Sequence, residues 1–375
     1  MSAAPERVYP DTTELLSPSL VVFKPLVAHN ITEMLRIAKA PARLRPHCKT
    51  HKMPEVIKME MAQGITKHKA ATFGECEMLA DCGVTDIFLS YNLLGPNIAR
   101  AVRFVQKYPH ITFCATADHL VPLKQLSDAL TAAGVEMQVA VDLNTGLDRT
   151  GVAIGQPAID LYRQIVELPG VQPGGFHCYD GHNHHPVLTD RQAAVAPLWD
   201  RVQTMKAEIV RQGWPIPRLV SGGTGTFPVY AEFEDPLIEL AAGTTVLHDT
   251  GYGDTFADMP NFVHSALLMT RVISRPAPNI MTLDAGNKAV SPDQPMPTRA
   301  RLLDIPDAEI QRHNEEHMVV KTSLAERYQP GDVVWAVPRH ICTTTYLYPW
   351  VYAVDAGGAV LGQWEVRARD RQITI

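Results

Sequence analysis

A lysine flanked by histidines and a second lysine is the first candidate for chemistry in this chain. Residues 45–52 read Arg-Pro-His-Cys-Lys-Thr-His-Lys, so Lys49 has His47, His51 and Lys52 as close neighbours. Neighbouring positive charge favours the neutral form of an amine, which is the form that attacks a carbonyl carbon. Lys49 is therefore a candidate nucleophile, although a basic surface loop would show the same composition.

A glycine-rich segment could hold an anion. Residues 221–226 read Ser-Gly-Gly-Thr-Gly-Thr. Small residues let backbone amides approach a phosphate closely, and the start of a following helix adds a favourable dipole. Gly243 and Thr244 open a second segment with possible donors. A phosphate site and a reactive lysine together predict the cofactor pyridoxal 5′-phosphate (PLP), whereas a tight turn without a ligand would explain the glycines alone.

A histidine and a cysteine two residues apart could bind a metal ion. His340 and Cys342 lie in the segment Pro-Arg-His-Ile-Cys-Thr. On an extended segment both side chains point the same way, and a thiolate with an imidazole favours zinc. Two protein ligands are fewer than the four of a structural zinc, so water or substrate would complete the shell, as in a catalytic site. The alternative is a half-buried strand that binds no metal.

These residues need a scaffold that brings them together. Between about residues 20 and 255, short apolar runs alternate with stretches of helical periodicity such as 97–107 and 191–212. Eight runs are predicted to be strands: 44–50, 69–73, 86–92, 111–118, 136–143, 175–180, 218–224 and 244–249. This alternation predicts an α/β fold, a parallel (β/α)8 barrel of the TIM type, with a doubly wound open sheet as the competing fold.

Polar segments follow five of the predicted strands, at 45–52, 142–151, 177–185, 221–226 and 248–250. In a barrel, catalytic residues lie at the carboxyl ends of the strands. A capped loop would explain any one of these segments. Their joint placement predicts an active site at one end of the barrel.

The sequence changes in character after about residue 254. Six short β-rich runs separated by turn residues follow: 267–272, 279–283, 317–320, 332–337, 345–354 and 359–366. We therefore predict a PLP-binding barrel over residues 19–254. Residues 1–18 and 255–375 are predicted to form a smaller β-rich domain that carries the metal-ligand motif.

Composition excludes several classes of protein. The chain has 375 residues, 46% of them hydrophobic, and a net charge of −6. This charge gives no basic footprint for nucleic acid, and no apolar run approaches the roughly 18 residues that span a membrane. The amino-terminal residues lack the apolar core of a signal peptide, and the six cysteines show no paired framework. We expect a cytoplasmic protein.

Five ordered motifs resemble one family. Residues 45–52, Asp142 with 149–151, 179–185, 221–226 and 340–342 are similar to the D-threonine aldolase and D-serine dehydratase family. These are metal-activated PLP enzymes with the alanine-racemase-like barrel, known as fold type III. The resemblance covers nearly the whole chain and implies a homodimer.

The resemblance also implies roles for individual residues. Lys49 would bind the cofactor covalently, Arg149 would contact its phenolic oxygen, and Tyr179 would lie near its pyridine ring. His185 would be a candidate base for the substrate hydroxyl. The remaining implied ligands would hold the phosphate (Thr224, Gly225, Thr226 and Gly243) or a divalent metal, zinc or else manganese or magnesium (His340 and Cys342). Thr244, next to Gly243, is a further candidate for cofactor binding.

The metal motif indicates which reaction to expect. In this family aldolases tend to have His-x-Asp and dehydratases His-x-Cys, so Cys342 favours dehydration of D-serine or D-threo-3-hydroxyaspartate to a keto acid and ammonia. Retro-aldol cleavage to glycine and an aldehyde, as in D-threonine aldolase, is the alternative. Thr343 to Tyr346 and the segment 243–245 depart from the family pattern and leave the substrate side chain open. More remote alternatives are an amino-acid racemase and a PLP-binding protein without enzymatic activity.

Overall fold

The computed structural model describes residues 3–375, which form two compact units. The barrel unit comprises Leu35–Lys49, Ile57–Gly243 and Asp370–Ile375. The sheet unit comprises the described residues up to Met34, together with Thr50–Val56 and Thr244–Arg369. Each unit is therefore assembled from three separate segments of the chain.

The strands in chain order are β1 (Ser19–Phe23), β2 (Lys67–Ala70), β3 (Asp86–Asn92), β4 (Thr112–Ala117), β5 (Met137–Asn144), β6 (Val152–Ala153), β7 (Val171–Cys178), β8 (Leu219–Ser221), β9 (Ile238–Leu240), β10 (Ala266–Ala277), β11 (Ile280–Leu283), β12 (Ala300–Leu302), β13 (Glu309–His313), β14 (Met318–Lys321), β15 (Val333–Pro338), β16 (Trp350–Val354) and β17 (Val360–Glu365).

The α-helices are α1 (Lys24–Ala38), α2 (Pro54–Ala62), α3 (Phe73–Asp81), α4 (Pro96–Lys107), α5 (Leu120–Ala133), α6 (Gln156–Glu167), α7 (Leu188–Arg211), α8 (Phe227–Ala231), α9 (Thr250–Gly253) and α10 (Ile341–Thr345). Short 3₁₀ turns occupy Pro41–Arg43, Cys48–Thr50, Thr244–Val246, Ala325–Arg327 and Arg367–Arg369. Among residues 3–375, none of these helices has the length and apolar composition to cross a bilayer.

Local signals explain where several helices begin and end. The Thr72 side chain accepts a hydrogen bond from the Glu75 amide and so caps α3. Pro96 occupies the first position of α4, where its missing amide costs nothing. Gly134 ends α5 with a φ of 64°, a left-handed conformation that glycine adopts without strain.

The barrel unit contains a parallel sheet in the order β2-β3-β4-β5-β7-β8-β9, with the short β6 beside β5. The segment between the first and last strands closes it. Leu44 bridges Leu240 of β9 and His47 bridges Lys69 of β2, both in parallel. Eight extended segments therefore form the barrel, with buried residues such as Phe88, Ala140 and Val220 in one core cluster.

A buried ion-pair network fills the amino-terminal end of these strands. Arg45 is fully buried, and its guanidinium lies 2.5 Å from Glu239 and 2.9 Å from Asp86. Lys67, the first residue of β2, also pairs with Glu239 at 2.8 Å. Arg45 was part of the polar segment that predicted an active site, but the structure gives it this structural role instead.

The sheet unit is built on a mostly antiparallel sheet in the order β13-β14-β11-β10-β1-β16-β17, with β15 paired to β10 and β12 paired to β15. β1 runs antiparallel to β10 and parallel to β16. Apolar side chains from β1, β10, β15 and β16 form its core, including Val21, Phe23, Leu267 and Trp335.

Two predicted boundaries differ from the structure. The segment Ser19–Phe23 was predicted to open the barrel domain. In the structure it pairs with β10 and β16 of the sheet unit, and all five of its residues are buried. The last barrel strand was predicted at 244–249. It is Ile238–Leu240, which pairs with β8, whereas Thr244–Val246 forms a 3₁₀ turn.

Two predicted extended segments also end early. The first predicted strand is extended only from Leu44 to His47, and Cys48–Thr50 then form a 3₁₀ turn. The metal motif was also predicted to be extended, but only His340 has that backbone conformation, with φ −130° and ψ 99°. Cys342 lies in α10, which begins directly after His340.

Candidate active site

One cavity of the barrel unit contains the predicted nucleophile. Its volume is about 440 Å³, and polar side chains from several strands line it alongside apolar ones. The lining residues that bear on chemistry are His47, Lys49, Ser90, Asn92, Thr116, Asp142, Arg149 and Thr150. His47 and Lys49 come from the segment that begins at Leu44, and the others lie at or after the carboxyl ends of β3, β4 and β5. Barrel enzymes place their active sites at this end of the strands.

Three cationic side chains surround the ring of Tyr179. The Lys49 amine lies 6.0 Å from the ring centroid, and the Arg149 guanidinium carbon lies 4.8 Å from it. The third is the Lys69 amine, at 5.4 Å. The structure therefore brings Lys49, Arg149 and Tyr179 together and adds Lys69 to them.

Lys69 belongs to a buried chain of hydrogen bonds. Its amine lies 2.8 Å from Nε2 of His177, whose Nδ1 lies 2.7 Å from Oδ1 of Asp142. Burial lowers the pKa of His177 to about 4. Burial is the largest influence on Asp142 and raises its pKa, but the hydrogen bonds and positive charge around it, His177 first among them, together leave that pKa below its usual value. A neutral imidazole between a carboxylate and an amine results.

The glycine-rich loop lies against the same aromatic ring. A Cβ atom added to Gly223 would lie 3.0 Å from the Tyr179 ring, so any larger residue would press on that ring. The Gly223 amide donates to Oγ1 of Thr226, which donates to Asp180 at 2.6 Å. Thr224, Gly225 and Thr226 are all buried in this loop, which leads into α8.

His185 lines a different cavity from Lys49. It is exposed, and its cavity of about 140 Å³ is shared with Thr145, Asp180, His182 and Asn183. Its carbonyl accepts a hydrogen bond from Arg191. The structure therefore does not place His185 in the cavity that Lys49 lines.

The predicted metal ligands contact one another in the sheet unit. Both are half-buried, and their side chains form a hydrogen bond. The Cys342 sulfur also lies 3.2 Å from the Thr50 hydroxyl and 3.5 Å from the Thr244 hydroxyl. Thr244, a predicted cofactor-binding residue, thus has its hydroxyl beside this thiol.

A carboxylate orients His340. Its Nδ1 lies 2.5 Å from Oδ2 of Asp293, and Asp293 also accepts a bond from Thr343 at 3.1 Å. Burial alone would lower the pKa of His340, but Cys342 and Asp293 raise it to about 9. A metal ion would compete with that proton. Histidine ligands commonly have such a carboxylate on the second ring nitrogen.

Two family models match the chain. A model described as the alanine racemase N-terminal domain matches residues 26–241, more than half of the protein. The chain belongs to the alanine racemase N-terminal domain family. A second model, for a serine dehydratase domain, matches residues 265–354, which include His340 and Cys342.

Individual relatives span nearly the whole chain. The D-threonine aldolase of Arthrobacter sp is 29% identical over 360 residues, which cover 94% of this chain and 92% of that protein. The D-threo-3-hydroxyaspartate dehydratase of Delftia sp. (strain HT23) is 23% identical over 370 residues, covering 93% and 96%. The crystal structure of D-threonine aldolase from Filomicrobium marinum has a TM-score of 0.87 and 26% identity, covering 98% of this chain and 99% of that one. The predicted family, fold and PLP-dependent lyase class are confirmed.

The residues of this alanine-racemase-like barrel suit the cofactor of their family. PLP needs an amine for its aldehyde, cations for its oxygens and a cradle for its phosphate. Lys49 would supply the amine and Arg149 a cation, and both line the same cavity. The glycine-rich loop around Gly223 would supply the cradle, and its backbone lies so near the Tyr179 ring that an added Cβ atom would crowd it.

Sequence reasoning missed two residues. Lys69 begins the predicted strand 69–73, where the sequence alone gives no reason to distinguish it from an ordinary charged residue at a strand end. Its contact with His177 is visible only in the structure. Asp293 lies in the segment 291–298, where proline, glutamine and aspartate indicate a loop. The one indication of such a residue was the predicted ligand His340, because a metal-binding histidine generally has a hydrogen-bond partner on its second ring nitrogen.

One more group of metal-type side chains lies in the barrel unit. Donor atoms of His47, Cys48 and Glu75 lie within 4.8 Å of one another, and all three residues are buried. The Cys48 thiol is 3.6 Å from Oε2 of Glu75, which also accepts the Ala71 amide at 2.6 Å. These hydrogen bonds account for the cluster without a metal ion.

Proposed function

We propose that this protein is a PLP- and divalent-metal-dependent lyase that acts on D-3-hydroxy-2-amino acids and dehydrates them. D-Serine and D-threo-3-hydroxyaspartate represent the substrate class, and a keto acid and ammonia are the products. The observation that carries the proposal is the imidazole–thiol pair of His340 and Cys342, with Asp293 behind the imidazole.

The barrel unit would hold the cofactor. Lys49 would bond to it covalently, Arg149 and Tyr179 would contact its ring, and the phosphate would lie on the loop of Thr224, Gly225 and Thr226. Gly243, at the end of the barrel segment, would add a backbone amide. Bound PLP supplies an electron sink that stabilises negative charge at the substrate Cα.

The sheet unit would hold the metal. His340 and Cys342 leave coordination positions open, as a catalytic site requires. The thiolate favours zinc over magnesium or manganese. A metal bound there supplies a Lewis acid for charge on the β-oxygen of the substrate, which matters because hydroxide is a poor leaving group.

The placement of the bases supports dehydration. Dehydration needs a base for the proton on Cα, and Lys49 lines the candidate cofactor cavity. Retro-aldol cleavage needs a base for the β-hydroxyl, and the predicted base, His185, lines another cavity. The residues that share the Lys49 cavity thus match the first reaction better.

Aldolase activity is the second candidate function. The Arthrobacter aldolase is more similar to this chain, at 29% identity, than the Delftia dehydratase, at 23%. Racemisation would need an acid–base group on each face of the cofactor and no metal, so the pair of His340 and Cys342 argues against it.

A product assay separates the two reactions. D-Serine, D-threonine and D-threo-3-hydroxyaspartate are each incubated with the PLP-loaded enzyme and zinc or manganese. Keto acid with ammonia is expected as the main product, and glycine with an aldehyde from every substrate would reject dehydration. His185→Ala serves as the matched variant: dehydration should persist in it, whereas an aldolase that uses His185 as its base should lose activity.

Two further expectations remain proposals. We expect a homodimer, in line with the family resemblance, and a monomer mass in solution at full activity would contradict it. The cytoplasmic location also stays a prediction from the sequence.

A further inference from the structure

Lys69 is a lysine in an unusual environment. It lies on β2 and is only 2% exposed, whereas lysine is almost never fully buried without a partner. Its partner is not a carboxylate. The amine lies 2.8 Å from Nε2 of His177, a neutral acceptor.

The hydrogen bonds define how this pair can share a proton. The pKa of Asp142 is lowered, so its carboxylate is ionised and can only accept a hydrogen bond. The hydrogen between the two residues is therefore on Nδ1 of His177. Nε2 of His177 then presents its lone pair to Lys69. When Lys69 is protonated, its ammonium group donates a hydrogen bond to this lone pair. When Lys69 is neutral, its own nitrogen lone pair is free to accept a proton.

The surroundings of Lys69 disfavour its charge. Burial is the largest cause, followed by the charge of Lys49, and together they lower the pKa of Lys69 to about 7. The charged and titratable groups that face it are Lys49, Asp142, Arg149, Arg45 and His177. Lys49, Arg149 and Arg45 lower the pKa of Lys69, and Asp142 raises it. Near neutral pH a substantial share of Lys69 is therefore a neutral amine.

Lys69 and the predicted nucleophile Lys49 both lie beside the ring of Tyr179. The two amines lie 6.0 Å and 5.4 Å from the centroid of the same Tyr179 ring, and the charge of Lys49 acts on Lys69. Lys49 lines the cavity, while Lys69 is buried behind the lining residues. Lys69 is thus coupled to Lys49 through charge and a shared aromatic neighbour, and it is not itself a lining residue of the cavity.

We propose that Lys69, held by His177 and Asp142, accepts the proton that Lys49 must lose before it can bond to the cofactor. This inference rests on the proposed function, in which Lys49 carries PLP. An ammonium group has no lone pair, so Lys49 first passes a proton to Lys69. Its nitrogen then bonds to the aldehyde carbon, and the aldehyde oxygen leaves as water with the two remaining protons of the amine.

The test measures cofactor capture rather than turnover. PLP is mixed with apoprotein between pH 5.5 and 9.5, and the rate of appearance of the visible band is recorded. In the wild type the rate should rise with a midpoint near pH 7, where Lys69 becomes neutral. Lys69→Met should be slower by about 100-fold at pH 7, the usual effect of losing a proton acceptor, and should lose that midpoint.

Two further variants identify the role. Lys69→Arg keeps a positive charge but cannot accept a proton, so it should be as slow as Lys69→Met. Lys67→Met makes the same change two residues earlier on the strand, where the amine pairs with Glu239, and should behave like the wild type. Full recovery in Lys69→Arg would overturn proton acceptance, since charge alone would then suffice.

The remaining outcomes are also decisive. A Lys69→Met protein with the wild-type rate and midpoint would overturn the inference while leaving Lys49 as the site of PLP. Failure of the wild type to bind PLP at Lys49 would instead reject the proposed function. If Lys69→Met does not fold, His177→Gln replaces the acceptor of Lys69, and an unchanged midpoint in that variant would overturn the inference.

Discussion

Nδ1 of His340 lies 2.5 Å from Oδ2 of Asp293, an exposed aspartate on a loop of the sheet unit. This contact fixes the ring and leaves Nε2 as the nitrogen available to a metal. Asp293→Asn should therefore weaken zinc binding by roughly 10- to 100-fold, the usual cost of removing such a partner. Zinc titration of the metal-free protein measures this. Asp307→Asn is the control, because Asp307 binds only hydroxyl and amide groups of Thr322 and Ser323. Equal affinities in the wild type and Asp293→Asn would contradict the role.

Chelation should separate the metal from the cofactor. We expect a chelator to abolish turnover and to leave the visible PLP band, because the residues proposed to hold PLP belong to the barrel unit and the proposed metal ligands do not. Cys342→Asp should shift the metal preference toward manganese or magnesium, since a carboxylate is a harder ligand than a thiolate. It should also raise the share of glycine and aldehyde among the products. Full activity of the chelated enzyme would reject the metal site.

Lys49 should be the residue that carries the cofactor. Borohydride reduction of the PLP-loaded protein should fix the cofactor on a peptide that contains Lys49, as mass spectrometry can show. Lys49→Ala should lose the visible band and, with it, activity by a factor on the order of 1,000 or more, as expected when a nucleophile that also acts as a base is removed. Lys67→Ala is a matched control on β2. Reduced cofactor on Lys52 or Lys69 would contradict the assignment.

The glycine-rich loop should respond to added side-chain volume. Gly223→Ala places a Cβ atom about 3.0 Å from the Tyr179 ring, so the ring or the loop must move. Gly225→Val should likewise disturb the phosphate site. Both changes should weaken PLP binding, measured by equilibrium dialysis, more than they lower turnover at saturating PLP. A bulky residue at Gly357, in a turn of the sheet unit, is the control. Unchanged PLP affinity in both loop variants would argue that the phosphate lies elsewhere.

Two stacked histidines should make the protein sensitive to acid. The rings of His248 and His264 lie 5.5 Å apart, and burial lowers their pKa values to about 3 and about 4, against 6.5 in an unfolded chain. Their contribution is present above pH 6.5, because the unfolded state binds more protons below that value, and it is lost as pH falls toward 4. Each group should contribute a slope of up to roughly 1.4 kcal/mol per pH unit in this window.

His248→Asn tests this acid sensitivity. The backbone of His248 has a φ of 54°, which asparagine tolerates better than most residues. Denaturant unfolding between pH 4.5 and 6.5 should show a shallower loss of stability in this variant. The exposed His110→Asn should keep the wild-type slope. Parallel curves for His248→Asn and the wild type would exclude His248 as a source of the acid sensitivity.

The sequence alone determined the local motifs of this protein. The lysine segment, the glycine-rich loop and the His-x-Cys pair are short stretches in which residue type and spacing carry the chemistry, and they sufficed for the family. Strand 86–92 was predicted with the bounds that the structure has, because its apolar run is flanked by clear turn residues. Alternation of strands and helices likewise sufficed for an α/β fold with a parallel sheet, while the pairing of Leu44 with Leu240 and of His47 with Lys69 decided for a closed barrel over an open sheet.

Contacts between residues that are distant in the chain were decided only by the tertiary structure. Lys69 and His177 are 108 positions apart, and His340 and Asp293 are 47 apart, so no local pattern pairs them. The strand Ser19–Phe23 joins the sheet unit because its partners are β10 and β16, which the chain reaches more than 200 residues later. His185 belongs to a family-like motif, yet the path of its loop places it in another cavity from Lys49. These positions depend on burial and on pairing between segments that are far apart in the chain. Local periodicity in the sequence carries no information about either.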